Sequence, residues 1–253
     1  MSKVKLIGVL NITPDSFSDG GEFNSTESAL MQAEQLFADG ADLIDVGGES
    51  TNPKSTPITP DEEWGRIKDV LKVLLAKYPG KISLDSHHPA TIRKAAELGT
   101  FYINEVTGFN DPEMVQIAAE LQLPVIISHL PVKFGTDIAA AHASNVPMAN
   151  LEEVRAELLS RETELIKAGV KPQNIILDPG IGFGKTMELN AKLVEFAREV
   201  PGKPVMIGYS RKRFLGDYRM EIEPNLEAGK RAIAAGAAYL RVHDVKAHIK
   251  LLG

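Results

Sequence analysis

The sequence predicts an α/β fold, a single closed (β/α)8 (TIM) barrel over residues 1–253, with its active site at the C-terminal ends of the strands. Eight short apolar runs alternate with longer segments of helical period. No linker or low-complexity stretch interrupts the alternation, and 253 residues is the usual length of one such barrel. A doubly wound open sheet is the competing arrangement, and the count of eight together with the length favours closure.

The strands are expected at 4–10, 43–46, 82–84, 101–106, 125–128, 175–177, 205–209 and 239–242. Most are apolar throughout, as parallel strands covered on both faces must be. Helix starts are marked between them. Thr59-Pro60-Asp61-Glu62 has the form of a capping box with Pro at the first helical position, Asp111-Pro112 repeats the cap-then-Pro pattern, and Asn150 has Glu153 three residues on. Gly40, Gly99, Gly169 and Gly236 stand where left-handed C-caps are wanted. Ala29, Leu30, Ala33, Leu36 and Phe37 recur on one helical face.

Composition narrows the function. The absence of cysteine excludes disulfides, zinc–thiolate sites, iron–sulfur clusters and thiol nucleophiles. The net charge of −6 argues against general nucleic-acid binding, yet allows a few cations to converge on an anionic small molecule. No apolar run reaches the length of a membrane span, and no secretory leader is recognisable, so a cytoplasmic protein is expected.

The informative residues are polar ones at the ends of apolar strands: Asn11, the run Asp45 to Thr51, Asp85, Asn104 with Glu105, His129, Asp178, Ser210 to Arg213, and Arg241 to Asp244. All fall where barrel enzymes place their chemistry. Asp85, Asn104 and Asp178 can bond the donor–acceptor edge of a flat heterocycle. Asn11, Arg241, His243 and the Arg211/Lys212/Arg213 cluster suit a phosphate or diphosphate, and an arginine can also stack on a ring. Together they describe a site for a polar aromatic ring bearing a phosphorylated group.

Other patterns carry less. Gly180 to Thr186 is similar to a phosphate-binding P-loop, but Pro179 stands where that motif needs glycine, so the segment is read as a backbone-hugging active-site loop. Gly47-Gly48-Glu49-Ser50 lacks the spacing of a nucleophile elbow. His87 and His88, just before Pro89, are expected to be exposed loop residues and not metal ligands.

Five stretches, Gly8 to Gly21, Gly47 to Thr51, Asp178 to Lys185, Ser210 to Lys212 and Arg241 to Val245, resemble in order the motifs of dihydropteroate synthases, and the resemblance runs from about Lys5 to the end. It implies a transferase of folate biosynthesis that condenses 6-hydroxymethyl-7,8-dihydropterin diphosphate with p-aminobenzoate to give 7,8-dihydropteroate and pyrophosphate. It implies Mg²⁺ contacted by Asn11, a homodimer, and a target of sulfonamides. Asp85, Asn104, Asp178 and Lys212 would hold the pterin; Arg241 would stack on it and, with His243 and Asn11, hold the diphosphate. Phe17, Thr51, Pro53, Gly182, Phe183 and Lys212 would line the aminobenzoate pocket, under loops at 13–23 and 50–59. Asp85, Lys212, Arg241 and His243 would carry the catalysis.

The chain departs from the family pattern chiefly near the aminobenzoate. Asn52 and Lys54 flank Pro53 where Arg and Gly are usual, Leu130 and Pro131 follow His129, and Arg213 replaces a small hydroxyl residue after Lys212. The segments 85–104 and 108–112 are similar to the sulfonamide-insensitive branch. Two other readings remain open. One is a corrinoid-type folate methyltransferase barrel, which would normally lack the Asp15–Gly21 loop and Ser210-Arg211-Lys212. The other is a pterin-binding paralogue without turnover.

Overall fold

The computed structural model describes residues 4–13, 21–50 and 55–252, with residues 21–25 described by backbone alone. Its strands are β1 (Lys5–Asn11), β2 (Leu43–Gly47), β3 (Ile82–Asp85), β4 (Tyr102–Glu105), β5 (Val125–Ser128), β6 (Ile175–Asp178), β7 (Met206–Ile207) and β8 (Tyr239–Val242). All pair in parallel, in the order β6-β5-β4-β3-β2-β1-β8-β7. A parallel bridge from Leu177 to Val205 joins the two ends of that order, so the sheet curls into the expected barrel.

The helices are α1 (Gly21–Ala38), α2 (Pro60–Lys77), α3 (Pro89–Ala96), α4 (Pro112–Leu121), α5 (Ile138–Ala143), α6 (Leu151–Lys167), α7 (Met187–Leu193), α8 (Ile222–Ala234) and α9 (Val245–His248). Their starts follow the sequence. Thr59 accepts from the Glu62 N–H while the Glu62 carboxylate takes the Thr59 N–H, the reciprocal capping box. Asp111 caps α4 through the Glu113 N–H. Asn150 caps α6 by accepting from Glu152, so Glu153 takes no part in a box there. Gly40, Gly169 and Gly236 adopt φ of +106°, +108° and +94° after α1, α6 and α8.

β7 is shorter than the expected 205–209. Its ladder with β8 covers only Met206 and Ile207, and the Val205 carbonyl just before it accepts from the Ala238 and Tyr239 N–H groups.

The two faces of the strands have separate roles. Outward residues such as Leu6, Ile44, Val46, Leu84, Ile103, Ile127, Leu177 and Leu240 join the helices in the main core. On α2 the buried stripe Glu63, Ile67, Val70, Leu71, Leu74 and Leu75 has the expected helical spacing. Each fully buried aliphatic side chain there contributes about 1.5–3 kcal/mol. Inward residues Ile7, Leu43, Ile126, Ile176 and Met206, with Tyr102 and Tyr239 against them, form a separate apolar cluster that plugs the lower end of the barrel.

Candidate active site

Side chains alternate along a strand, so the residues two and four positions beyond the plug must also point inward. Counting up from Leu43, Tyr102, Ile126, Ile176, Met206 and Tyr239 gives Asp45, Asn104, Ser128, Asp178, Gly208 and Arg241. One step higher stand Asn11, Asp85, Ser210 and His243. The apolar plug is thus roofed by a polar layer, which is the floor of a cleft at the C-terminal ends of the strands.

Arg241 organises that floor. Its Nε donates to Asp45 Oδ2 at 2.6 Å and its Nη2 to Asp85 Oδ2 at 2.8 Å. Burial works against its charge, but the Asp45 and Asp85 carboxylates outweigh it and raise its pKa. The Asn104 Nδ2 donates to both Asp45 oxygens, at 3.2 and 3.1 Å. A carboxylate can only accept, so this contact fixes the amide orientation and turns Oδ1 the other way. Oδ1 is buried and has no hydrogen-bond partner among the described residues.

Asp85 is pushed up to about 7 by burial and by the Asp45 charge, with Arg241 pulling the other way. Burial also raises Asp178, although its Oδ2 accepts from the Ser128 hydroxyl at 2.7 Å and its Oδ1 from the Gly180 N–H at 2.9 Å. Burial and the nearby Arg241 bring Lys212 down to about 8. The Lys212 ammonium lies 4.8 Å from the centre of the Phe183 ring. Gly182, at φ +94°, passes so close that a Cβ there would sit 3.3 Å from Lys212 Cδ. A niche of about 30 Å³ joins Asp85, Asn104, Asp178, Phe183, Lys212 and Arg241.

Above it opens a cavity of about 590 Å³, its wall carrying five cationic side chains, Arg211, Lys212, Arg213, Arg219 and Arg241, beside Asn11, His243 and the acids Glu49 and Asp85. A protein of net charge −6 therefore concentrates cations at one mouth. His243 is held neutral, its pKa brought down to about 3 by burial and the charges of Arg211, Arg241 and Lys212. The Ser210 hydroxyl accepts from the His243 N–H at 3.3 Å and meets Nδ1 at 3.0 Å, tying the ends of β7 and β8 together. Asn11 is exposed at the end of β1, and its Oδ1 lies 3.9 Å from where a Cβ on Gly47 would stand.

The loop after β6 is built as the sequence suggested. Lys185 is buried, with Nζ donating to the carbonyls of His129 (3.0 Å), Gly180 (2.8 Å) and Phe183 (3.0 Å), so it clasps backbone and does not reach for a phosphate. Gly180 has φ +62°, and a Cβ there would stand 2.1 Å from the His129 carbonyl oxygen.

The structure thus brings Asn11, Asp85, Asn104, Asp178, Gly182, Phe183, Lys212, Arg213, Arg241 and His243 to one cleft. Phe17, Thr51 and Pro53 lie outside the described residues. Several strand-end residues do not belong to it. His129 points outward to Glu157 on α6, at 3.1 Å. Glu105 is outward as well and accepts from the Thr107 N–H, the Thr107 hydroxyl and the Phe109 N–H. Asp244 caps α9. In the other direction, Arg219 lines the cleft and buried Asp45 lies beneath it, holding Arg241 and Asn104; the sequence reading marked Asp45 only as part of the polar run after β2 begins and gave neither residue a specific role.

His87 and His88 are not exposed as expected. Their side chains retain 21% and 15% of their exposure because both fold against Glu49. Burial and the neighbouring His88 bring His87 down to about 4. Burial pulls His88 down too, but its hydrogen bond to Glu49 and the charges of Glu63 and Glu49 hold it above its ordinary value.

Comparison with known proteins places this geometry. Residues 7–243 match the family described as pterin binding enzyme. The dihydropteroate synthase of Haemophilus influenzae is 36% identical over 259 residues, spanning 100% of this chain and 93% of that protein. The solved structure of Xanthomonas albilineans dihydropteroate synthase with 4-aminobenzoic acid superposes with a TM-score of 0.87 at 33% identity, covering 99% of this chain and 91% of that one. That of Anaplasma phagocytophilum dihydropteroate synthase, with bound 6-hydroxymethylpterin-monophosphate, gives 0.84 at 36% identity, covering 99% and 97%.

Proposed function

The chain belongs to the pterin-binding enzyme family, and from that premise we propose that it works as a dihydropteroate synthase. It is a transferase that condenses 6-hydroxymethyl-7,8-dihydropterin diphosphate with p-aminobenzoate, giving 7,8-dihydropteroate and pyrophosphate for folate biosynthesis. The aminobenzoate nitrogen forms a bond to the exocyclic pterin methylene as the methylene–oxygen bond to diphosphate breaks, and the amine proton leaves to solvent.

The observation that carries this reading is the floor of the barrel. The partnerless Asn104 Oδ1, between the carboxylates of Asp85 and Asp178, presents acceptors to a planar heterocycle rich in N–H donors. Asp85 and Asp178 take the amino and ring N–H groups, and Lys212 donates to the ring acceptors. Arg241 covers the ring face and, with Arg211 and the neutral imidazole of His243, binds the diphosphate. Lys212 and Phe183, with the ammonium over the ring, form one wall for the aminobenzoate, and Phe17, Thr51 and Pro53 are assigned the other. Once the loops close, exclusion of water protects the electron-poor methylene from hydrolysis.

Mg²⁺ fits the mouth of the cleft. It prefers oxygen ligands and retains waters alongside substrate phosphates, and Asn11 offers one amide oxygen that no other described side chain engages. When bound, Mg²⁺ would offset the charge gathering on the departing diphosphate. The family also implies a homodimer in the cytoplasm. Among the described residues no helix is long and apolar enough to cross a membrane.

The test is turnover of dihydropterin diphosphate and p-aminobenzoate with Mg²⁺, read as pyrophosphate release. Pterin binding without any release would identify a non-catalytic paralogue, and methyl transfer to a cobalamin protein would identify the methyltransferase.

A further inference from the structure

We infer that Glu49, His87 and His88 form a binding site for a divalent transition metal of the zinc class, distinct from the Mg²⁺ position at Asn11. Glu49 extends just beyond β2, and the two histidines lie between the end of β3 and Pro89 at the start of α3. Glu49 Oε2 stands 2.9 Å from His88 Nε2 and 3.9 Å from His87 Nε2. The three candidate ligand atoms all lie within 4.8 Å of one another.

Ligands bound to zinc at about 2.0–2.2 Å in a tetrahedron are roughly 3.4 Å apart. The two Glu49–histidine separations bracket that edge, so small side-chain adjustments would seat an ion among the three. Two imidazole nitrogens and one carboxylate oxygen select zinc, cobalt or a similar ion over magnesium or calcium, which want oxygen throughout. Three protein ligands leave one position for water or another donor.

The surroundings hold these ligands in place. The Ser86 hydroxyl donates to Glu63 Oε2 at 2.7 Å and accepts the His88 N–H at 3.2 Å, anchoring the histidine loop to α2. The two imidazole rings lie 4.3 Å apart, tilted by 36°. The other Glu49 oxygen, Oε1, accepts from the Ile58 N–H at 3.3 Å. Glu49 also lines the large cavity. An ion at this position would therefore fix the carboxylate that ties the end of the 50–59 loop to the ends of β2 and β3.

The experiment is calorimetric titration of metal-stripped full-length protein with Zn²⁺ in the absence of substrates, together with the visible spectrum of the Co²⁺-loaded protein. One equivalent should bind, and cobalt should show the strong visible bands of a low-coordinate nitrogen–oxygen site. Loss of outer-sphere partners alone weakens metal sites 10- to 100-fold, so removing a ligand in His87→Ala or His88→Gln should weaken zinc by about 100-fold or more. His88→Gln keeps a hydrogen-bond donor for Glu49, and a native circular dichroism spectrum separates lost ligation from lost folding. Asn11→Ala should leave zinc affinity unchanged. Zinc binding equal in the wild type and both histidine variants, or no stoichiometric binding by the wild type, overturns the assignment and leaves the cluster as an ion pair that holds the loop.

Discussion

Arg241 and Asp85 meet across the mouth of the barrel at 2.8 Å, although β8 and β3 are separated by two intervening strands. The contact gives each side chain a partner across the floor of the cleft. A pterin edge that takes up Asp85 therefore competes with Arg241, and the guanidinium freed from Asp85 becomes available to the ring face and the diphosphate.

Asp85→Ala should lose pterin binding and not merely turnover. A buried edge deprived of a charged hydrogen-bond partner costs about 2–4 kcal/mol, and calorimetry with a free pterin reads it directly. Unchanged affinity would remove Asp85 from the binding role.

The same residue gives a pH dependence of stability. Its pKa rises on folding from the ordinary 3.8 to about 7, so between these values the native state holds the proton more tightly than the unfolded chain. Its contribution is fully present below about 4 and is lost as pH rises through about 7. Denaturant unfolding from pH 4 to 8 should show this downward slope reduced in Asp85→Asn. Equal slopes in both proteins would count against it.

Asp45→Ala should destabilise more than any change at the rim. It strips a buried carboxylate from Arg241 and from Asn104 at once, and breaking a buried pair on one side costs about 3–5 kcal/mol. The midpoint of chemical unfolding is the measurement, and Asp45→Asn, which keeps one acceptor oxygen, should fall between wild type and Asp45→Ala.

The ends of the strands show how far a sequence can be read. Polarity at a strand terminus marks the catalytic face of a barrel, and it is enough to pick out Asp85, Asn104, Asp178 and Arg241, which the structure gathers around one niche. Polarity does not give phase. His129 and Ser128, or Glu105 and Asn104, are neighbours of similar polarity, and only their distance from the plug residues Ile126 and Tyr102 decides which points inward. The pairing of Glu49 with His88 was invisible for a different reason: 39 positions separate them, and no short motif spans two strand ends.

Gly180→Ala should be poorly tolerated. The left-handed backbone contributes roughly 1–3 kcal/mol of strain, and crowding against the His129 carbonyl a similar amount. Since the oxygen it meets is backbone, no side chain can move aside. A thermal midpoint within a degree or two of wild type would contradict the geometry.

Arg213→Ser should shift sulfonamide discrimination only modestly. The side chain is exposed on the cavity rim, where solvent screens a carboxylate pair, so the ratio of sulfonamide inhibition constant to aminobenzoate Michaelis constant should fall by about 2- to 5-fold. A ratio that does not move would remove Arg213 from acceptor selection.

The single bridge between Leu177 and Val205 makes the barrel mechanically uneven. Six of its neighbouring strand pairs, from β5–β6 round to β1–β8, share registers of three to five residues and β7–β8 shares two, whereas the β6–β7 seam rests on that one bridge. Asp178 leaves the barrel on one side of this seam and Lys212 follows on the other. Native-state hydrogen exchange should therefore find its earliest opening among the barrel strands at the amides flanking the seam, where a brief parting would change the width of the slot in which Lys212 and Phe183 face the acceptor.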